Sequence, residues 1–437
     1  MHRATPWIDY HARMRLAIEA YGSTDPGKTR KRNEDYFVMD EGQGIYAVCD
    51  GMGGHAAGDE ASRTAGESLR VYLTTHREPV ERLAKDGSDE SKLEAQTLVA
   101  LAMQKACADV WDIQEKNPEK RGMGSTMVCL VRAGNRLVLG HAGDSRVYLL
   151  RQGKVYRLTE DHTLAAAQVR QGFMTQEQAD ASEFKNVLLR AIGSQPSVQV
   201  DTLLLDLIAD DLLLLCSDGL HGYLNEDEIP ALLAGVPPSD LPQKLIDFAN
   251  ESGGADNITA LVIKCAGEPR ESLPVSARID AIRKLPLFRH LSYKETVAVL
   301  AIAEARSMKP NEEVVREGTP GDKMYVLSTG QVEVERGGAI IAHLSAGGFF
   351  GEMSLVDDMP RSATVRTTEP TELLVLEKKD MLALMQRDPV LGLKIAFCLA
   401  QALSSRLRNT NADLITIIEQ DDRIPSTEPV PFTSGEG

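Results

Sequence analysis

The sequence predicts an α+β chain of two globular domains, and three observations carry that prediction. From about residue 15 to 265, many short apolar runs are separated by Gly, Asp and Asn turns, the pattern of buried strands. Two longer stretches in the same region, at roughly 56–75 and 93–115, place apolar residues at helical spacing instead. The segment AGEPRESLPVSA (266–277), with two prolines and several small or charged residues, then separates this region from a second β-rich one.

In chain order, the first dozen residues carry neither pattern and form a loose tail. The first domain is placed at 14–265 and the linker at 266–277. The second domain, 278–420, holds strands such as KMYVLS, QVEVER and TELLVLE between about 310 and 377, followed by a helical stretch from about 379 to 420. The Pro-, Ser- and Glu-rich segment 421–437 is expected to be disordered. No internal repeat is visible.

The 437 residues exceed one ordinary domain. With 48 basic and 64 acidic residues, the net charge is −16, a poor match for nucleic acid or an anionic membrane. The N-terminal MHRATPWIDYHARM lacks an apolar signal core. The most apolar stretch, LLLDLIADDLLLLC, is broken by acids and too short to span a bilayer. A soluble cytoplasmic protein is expected. None of the six cysteines forms a C-x-x-C pair, and Cys49, Cys129, Cys216 and Cys265 end or sit within apolar runs, so buried reduced thiols are expected.

The aspartates of the first domain are placed unusually. IYAVC runs into Asp50, RLVLGH into a turn holding Asp144, LLLLCS into Asp218, and Asp256 precedes ITALVIK. Each stands at the end of an apolar segment beside glycine or a small residue. One such Asp is most simply a turn cap. Four gathered at a sheet edge could not all ionise without cations, and oxygen-only ligands select hard ions such as Mg²⁺ or Mn²⁺. VCDGMGGH (48–55) fits that reading, because its glycines let the backbone turn sharply beside Asp50.

GKTRKRNEDYF (27–37), AVCDGMGGHAAG (47–58), GSTM (124–127), GHAGDSRVYLL (140–150), TEDHT (159–163), LLRAIG (188–193), LCSDGL (215–220) and GGADNIT (253–259) occur in this order. Together they resemble the metal-dependent type 2C Ser/Thr protein phosphatases in their bacterial form, over roughly residues 14–265. The resemblance implies an α-β-β-α sandwich and hydrolysis of phosphoserine or phosphothreonine in proteins by a metal-activated water. It implies that Asp50 bridges two ions, that the Gly51 carbonyl holds one of them, and that Asp218 and Asp256 complete a shell. Asp144 with Asp218 would hold a third ion, and Glu34 and Asp35 would act through bound waters. Arg30 would grip the substrate phosphate with its planar fork. On this basis Arg30, Asp50 and Asp218 are the catalytic set. Animal relatives carry His directly after the Asp-Gly pair, whereas this chain has Met52. A bound water or His55 is then left to protonate the leaving oxygen, and His162 is read as structural. Residues 163–190 would form a flap over the site that bears on substrate choice.

In the second domain, FGEMSLVDDMPRSATV (350–365) places Glu352 and Arg361 nine residues apart around a short helix-like segment. Taken alone these are ordinary surface charges. Their setting differs, since IDAIRKLPLFRHLS, VVREGTPGDKMYVLSTGQVEVER and FGEMSL…PRSATV resemble the cyclic nucleotide-binding domains of protein kinase A regulatory subunits and bacterial catabolite activators. That resemblance implies a β jelly roll with flanking helices. Arg361 would bind the cyclic phosphate of cAMP or cGMP, Glu352 the ribose hydroxyl, and Gly351 and Ser362 would supply further donors. Only about 25 acidic, Pro-rich residues follow Asp413, too few for a DNA-binding module. The apolar face of the helix near 390–419 packs on its own domain by default, with a nucleotide cover or a homodimer as alternatives. The sequence thus points to a phosphatase controlled by a cyclic nucleotide. Two other readings stand beside it: a nucleotide receptor or scaffold with an inactive phosphatase fold, and a constitutive phosphatase whose C-terminal domain binds a partner.

Overall fold

The computed structural model describes residues 16–53, 57–267, 282–283, 285, 288, 290–356 and 359–420. The N-terminal tail, His55, most of the 266–277 linker, half of the helical opening expected at 279–292 and the 421–437 tail lie outside the described residues. The chain divides into two units, Met1–Ser272 with Ser292–Lys294, and Leu273–Leu291 with Glu295–Gly437.

In the first unit, β1 (Ala17–Asp25), β7 (Arg146–Arg151), β8 (Lys154–Arg157), β10 (Leu212–Cys216) and β11 (Ile258–Ala266) form one antiparallel sheet in the order β1-β11-β10-β7-β8. β2 (Asp35–Asp40), β3 (Ile45–Met52), β5 (Met127–Ala133), β6 (Arg136–Ala142) and β9 (Asp201–Asp206) form the other, with the short β4 (Gly124–Ser125) beside β3. β10 and β11 of the first sheet meet β2 and β3 of the second. Helices close the outer faces. α1 (Ala57–Thr75), α2 (Glu78–Asp86) and α3 (Asp89–Lys116) share one core with β2, β3, β5 and β6, through Ala61, Leu69, Val99 and Met103 against Val38, Ala47, Cys129 and Val138. The opposite core joins Tyr148, Leu214 and Val262 to Leu245, Ile246 and Ala249. The last three belong to α8 (Leu241–Glu251), which follows α6 (Asp218–His221) and α7 (Ile229–Leu233). Every residue of β10, LLLLC, is buried because one face meets the α8 side and the other meets the second sheet. An unbroken apolar run is therefore right for a strand in the middle layers. α4 (Leu164–Arg170) and α5 (Gln176–Asp180) lie within the expected flap.

The second unit holds two four-stranded antiparallel sheets. β12 (Ala303–Met308), β14 (Lys323–Thr329), β17 (Phe349–Phe350) and β19 (Thr371–Glu377) run in the order β12-β19-β14-β17. β13 (Glu313–Val315), β15 (Gln331–Arg336), β16 (Ala339–Ser345) and β18 (Thr364–Thr367) run β13-β18-β15-β16. Alternation along β14 builds two cores. Tyr325 and Leu327 face a cluster with Val332 and Val365. Met324 and Val326 face the helical side, where they meet Val299 of α9 (Tyr293–Ala301), Leu384 of α10 (Lys378–Arg387), and Leu391, Ile395 and Cys398 of α11 (Pro389–Gln420). The single helical stretch expected from about 379 to 420 is two helices. Pro389 opens α11, and Asp388 before it is extended, at φ −124° and ψ 91°. Proline disfavours the helical conformation in the residue before it, so α10 ends there.

Candidate functional site

The pairing of β2 with β3 sets Asp35 opposite Asp50. Asp50 does not end its strand as expected. β3 continues to Met52 because Gly51 and Met52 pair with Ser125 and Gly124 of β4. This extra pairing fixes the Asp50 backbone: its N–H donates to Thr126 Oγ1 at 3.1 Å, and its carbonyl accepts from Thr126 N at 2.9 Å and Ser125 Oγ at 3.0 Å. Gly51 N–H donates to Glu34 O at 3.1 Å. A Cβ on Gly51 would fall 2.1 Å from Gly58 O and 2.5 Å from Glu34 O, so only glycine permits this approach of α1 and the 34–35 segment.

Asp218 is the first residue of α6, separated from the end of β10 by Ser217 alone, and its carboxyl lies close enough to that of Asp50 to oppose its ionisation. Asp256 Oδ1 accepts from Asn257 N at 2.9 Å, and its Oδ2 accepts from Arg30 Nη2 at 2.8 Å. Asp144 stands in the turn between β6 and β7, and His221 Nε2 lies 3.0 Å from its carbonyl. Burial keeps that imidazole neutral by pushing its pKa down to about 3, so Nε2–H donates.

The carboxyls are out of balance with their charge. Burial pushes Asp35 up to about 7, against the pull of hydrogen bonds from Ser217 and Thr259, with Asp218 and Asp256 adding to the rise. Burial, with repulsion from Asp218, pushes Asp144 up to about 7. Asp50 is driven well above the usual carboxylate range by burial and then by Asp35, Asp218 and Asp144. Asp218 is raised by burial and by Asp256, and Glu34 mainly by burial. Carboxyls this close to one another cannot all ionise unless positive charge compensates them. Asp35 Oδ1 is buried without a partner. Among the described residues no three acidic or imidazole side chains are already drawn into one closed shell. Mg²⁺ and similar ions keep several waters and take only one or two carboxylates, so they need no such cage. The donor set fits hard divalent cations.

The sequence-predicted residues Glu34, Asp35, Asp50, Gly51 and Asp256 are thus joined through direct contacts or a single shared neighbour, and Asp144 and Asp218 adjoin them through their repulsion with Asp50 and with each other. Arg30, with its side chain about half exposed, is engaged by Asp256 rather than standing free. Sequence reasoning missed the residues that orient these groups. Ser217 Oγ and Thr259 Oγ1 both donate to Asp35 Oδ2 at 2.7 Å. Asn257 donates through Nδ2 to Pro26 O at 3.0 Å and Arg32 O at 2.8 Å, and accepts from Glu34 N at 2.8 Å, tying the Arg30 loop to the Asp256 turn. Their signal was present, since each lies within three residues of a singled-out aspartate inside a quoted motif.

In the second unit, Gly351 at φ +78° leads into a 3-10 turn, Glu352–Leu355, and Glu352 is only 2% exposed. Arg361 is buried as well. Its Nη1 donates to Ser354 Oγ and its Nη2 to Lys323 O, both at 2.8 Å. A Cβ on Gly321 would fall 2.1 Å from Arg361 Nε, so that glycine makes room for the guanidinium. The guanidinium carbon lies 5.8 Å from the Tyr325 ring centroid, and that ring stacks on Phe350. Ser362 is exposed. A buried cation beside a turn of backbone N–H groups suits an anionic ligand such as a phosphate.

Comparison with known proteins places each unit in a family. Residues 28–251 match the family model for protein phosphatase 2C, and residues 305–388 match that for the cyclic nucleotide-binding domain. The chain is 36% identical over 245 residues to the serine/threonine phosphatase Stp of Listeria monocytogenes, covering 55% of this chain and 93% of that one. It is 33% identical over 253 residues to the protein phosphatase PhpP of Streptococcus pneumoniae, covering 57% of this chain and 98% of that one. Among solved structures, the Mycobacterium tuberculosis serine/threonine phosphatase PstP superposes with a TM-score of 0.51 at 30% identity, over 58% of this chain and 100% of that one.

Proposed function

This chain belongs to the protein phosphatase 2C family and is a protein serine/threonine phosphatase; from that premise we propose that its carboxylate cluster works with divalent cations and that a cyclic nucleotide at Arg361 controls it. The observation that supports the first part best is that Asp35, paired across from Asp50, buries its Oδ1 with no hydrogen-bond partner beside a cluster of mutually repelling carboxyls.

In this reading Asp50, the Gly51 carbonyl, Asp218 and Asp256 hold Mg²⁺ or Mn²⁺, and Asp144 with Asp218 holds a further ion. When bound, such ions supply Lewis-acid activation of water and neutralisation of phosphoryl charge. The chain's own residues do the rest. The β4 pairing and Thr126 fix Asp50, and Ser217 and Thr259 lock the Asp35 carboxylate in one orientation. Glu34 and Asp35 accept hydrogen bonds from waters at the site. Arg30 forks onto the phosphate of a phosphoserine or phosphothreonine, exchanging its Asp256 partner for the substrate. Met52 cannot donate a proton, so the leaving alkoxide is not protonated from position 52.

The buried pair of charged residues Glu352 and Arg361, within a segment matching a cyclic nucleotide-binding family, supports the second part. Control requires the nucleotide to bind active and inactive arrangements with different affinity. The experiment is turnover of a phosphothreonine peptide in Mn²⁺, with cAMP, with cGMP and with neither, on wild type and Arg361→Ala. A nucleotide effect that vanishes in the variant supports control. Equal rates throughout would leave a phosphatase whose second domain serves another ligand. No described helix is long and apolar enough to cross a membrane.

A further inference from the structure

The turn that carries Asp144 is gripped by a residue that is also the root of the flap. Gly143, in that turn, has φ +116°, and a Cβ on it would fall 2.6 Å from Thr126 Cβ. Both of its backbone polar groups go to His162. Gly143 N–H donates to His162 Nδ1 at 3.1 Å, and His162 N–H donates to Gly143 O at 2.8 Å. The flap begins at the next residue. Thr163 caps α4, accepting from Ala166 N at 3.2 Å, and bridges to Leu188 where the flap returns. Leu189 N–H then donates to His162 O at 2.7 Å.

The far side of the ring faces the end of the flap. Nε2 lies 3.1 Å from Arg190 Nη1 and 3.6 Å from Asp201 Oδ2, and Arg190 Nη1 donates to Asp201 Oδ1 at 3.0 Å. Nδ1 is taken by Gly143 N–H, so Nε2 is the nitrogen that faces Arg190 and Asp201 at the end of the flap. The buried His141 ring stacks on His162 with centroids 4.5 Å apart and leaves it little room to swing. His162 therefore has one placement, and three things share it: the Gly143–Asp144 turn, the start of the flap and its end.

We propose that His162 is a positioning residue that couples the flap to the cation site at Asp144. Whatever moves the flap's root moves the Asp144 turn, and a cation that fixes Asp144 fixes the flap's root; such coupling is reciprocal. The proposal rests on the assignment of Asp144 as a cation ligand. It extends the function of a residue whose sequence setting, TEDHT, suggests only structure.

The test is limited trypsin cleavage of the full chain at the exposed flap residues Arg170 and Lys185, followed by mass spectrometry, with and without Mn²⁺, alongside calorimetric Mn²⁺ titration and circular dichroism of the same samples. In wild type, Mn²⁺ slows flap cleavage by about fivefold or more. His162→Leu binds Mn²⁺ about tenfold more weakly, as loss of a ligand-orienting partner does, and saturating Mn²⁺ no longer protects its flap. His162→Asn keeps an acceptor for Gly143 N–H but not the reach to Asp201. It retains Mn²⁺ affinity within about threefold of wild type, well short of the loss expected without an orienting partner, and still loses flap protection; this variant carries the test if His162→Leu does not fold. Wild-type protection in either folded variant overturns the coupling. Asp144→Asn separates the two claims. If it binds Mn²⁺ like wild type, the assignment of Asp144 fails. If it binds weakly while His162→Leu keeps wild-type affinity and protection, the assignment stands and the coupling is refuted.

Discussion

Replacing Asp144 by Asn removes a charge that the cation-free fold is forced to bury. Burial and the neighbouring Asp218 push this carboxyl from the usual 3.8 up to about 7. At 1.36 kcal/mol per pH unit, that gap corresponds to about 4 kcal/mol. A carboxyl whose folded pKa lies above its unfolded one costs nothing below the unfolded value. The cost grows as pH rises between the two values and is complete above the folded one. The cluster titrates together, so one proton relieves several members, and about half of this figure is expected to be recovered, roughly 2 kcal/mol at pH 8. For a unit of this size that raises Tm by about 4–8 °C. The assay is scanning calorimetry in EDTA at pH 8 and pH 5. Asp144→Asn is expected to melt higher than wild type at pH 8, with the advantage shrinking at pH 5, where the wild-type carboxyl is protonated. Saturating Mn²⁺ should reverse the order, because wild type gains ligand stabilisation that the variant partly loses. An Asn variant that melts lower at pH 8 in EDTA, or whose advantage is the same at pH 5, would refute the claim that uncompensated burial dominates here.

Other perturbations test the supporting shell. Asn257→Ala leaves Pro26 O, Arg32 O and Glu34 N without their partner, and should lower stability by about 2–3 kcal/mol in denaturant titration. It should also raise the Mn²⁺ concentration for half-maximal turnover by about tenfold. Gly51→Ala cannot be accommodated between Gly58 O and Glu34 O, and turnover should fall at least about a hundredfold, as expected when reacting groups are displaced by about an ångström. Gly321→Ala pushes a methyl into Arg361 Nε; calorimetry with cAMP or cGMP should show about tenfold or greater loss of affinity, the scale on which removing a charge-assisted contact acts.

Much of the site was legible because each key aspartate follows or precedes an apolar run, and such runs are buried strands whose ends lie close in a two-sheet sandwich. The same logic misplaced Asp50, which the residues of β3 alone cannot show to lie inside the strand. That depends on β4, more than 70 residues later, pairing with Gly51 and Met52. Ser217 and Thr259 stand inside the quoted motifs, but their shared partner was not legible, for a related reason. They reach Asp35 across separations of 182 and 224 residues, so no local spacing announces the contact. In the second domain, the apolar periodicity from about 379 to 420 hid a helix break that Pro389 alone signals. Charge at Arg361 was visible in the sequence, but its burial depends on the space left by Gly321, forty residues away.

The central claim is that the carboxylates clustered around Asp50 hold the cations that hydrolysis needs. The most direct measurement is phosphate release from a phosphothreonine peptide across a Mn²⁺ titration, on wild type and Asp50→Asn, with Mn²⁺ binding followed by calorimetry. Turnover that requires Mn²⁺ in wild type and is lost together with Mn²⁺ affinity in a folded Asp50→Asn is the predicted result. Turnover in wild type that persists in EDTA, or an Asp50→Asn variant that binds Mn²⁺ and turns over as wild type does, would contradict it.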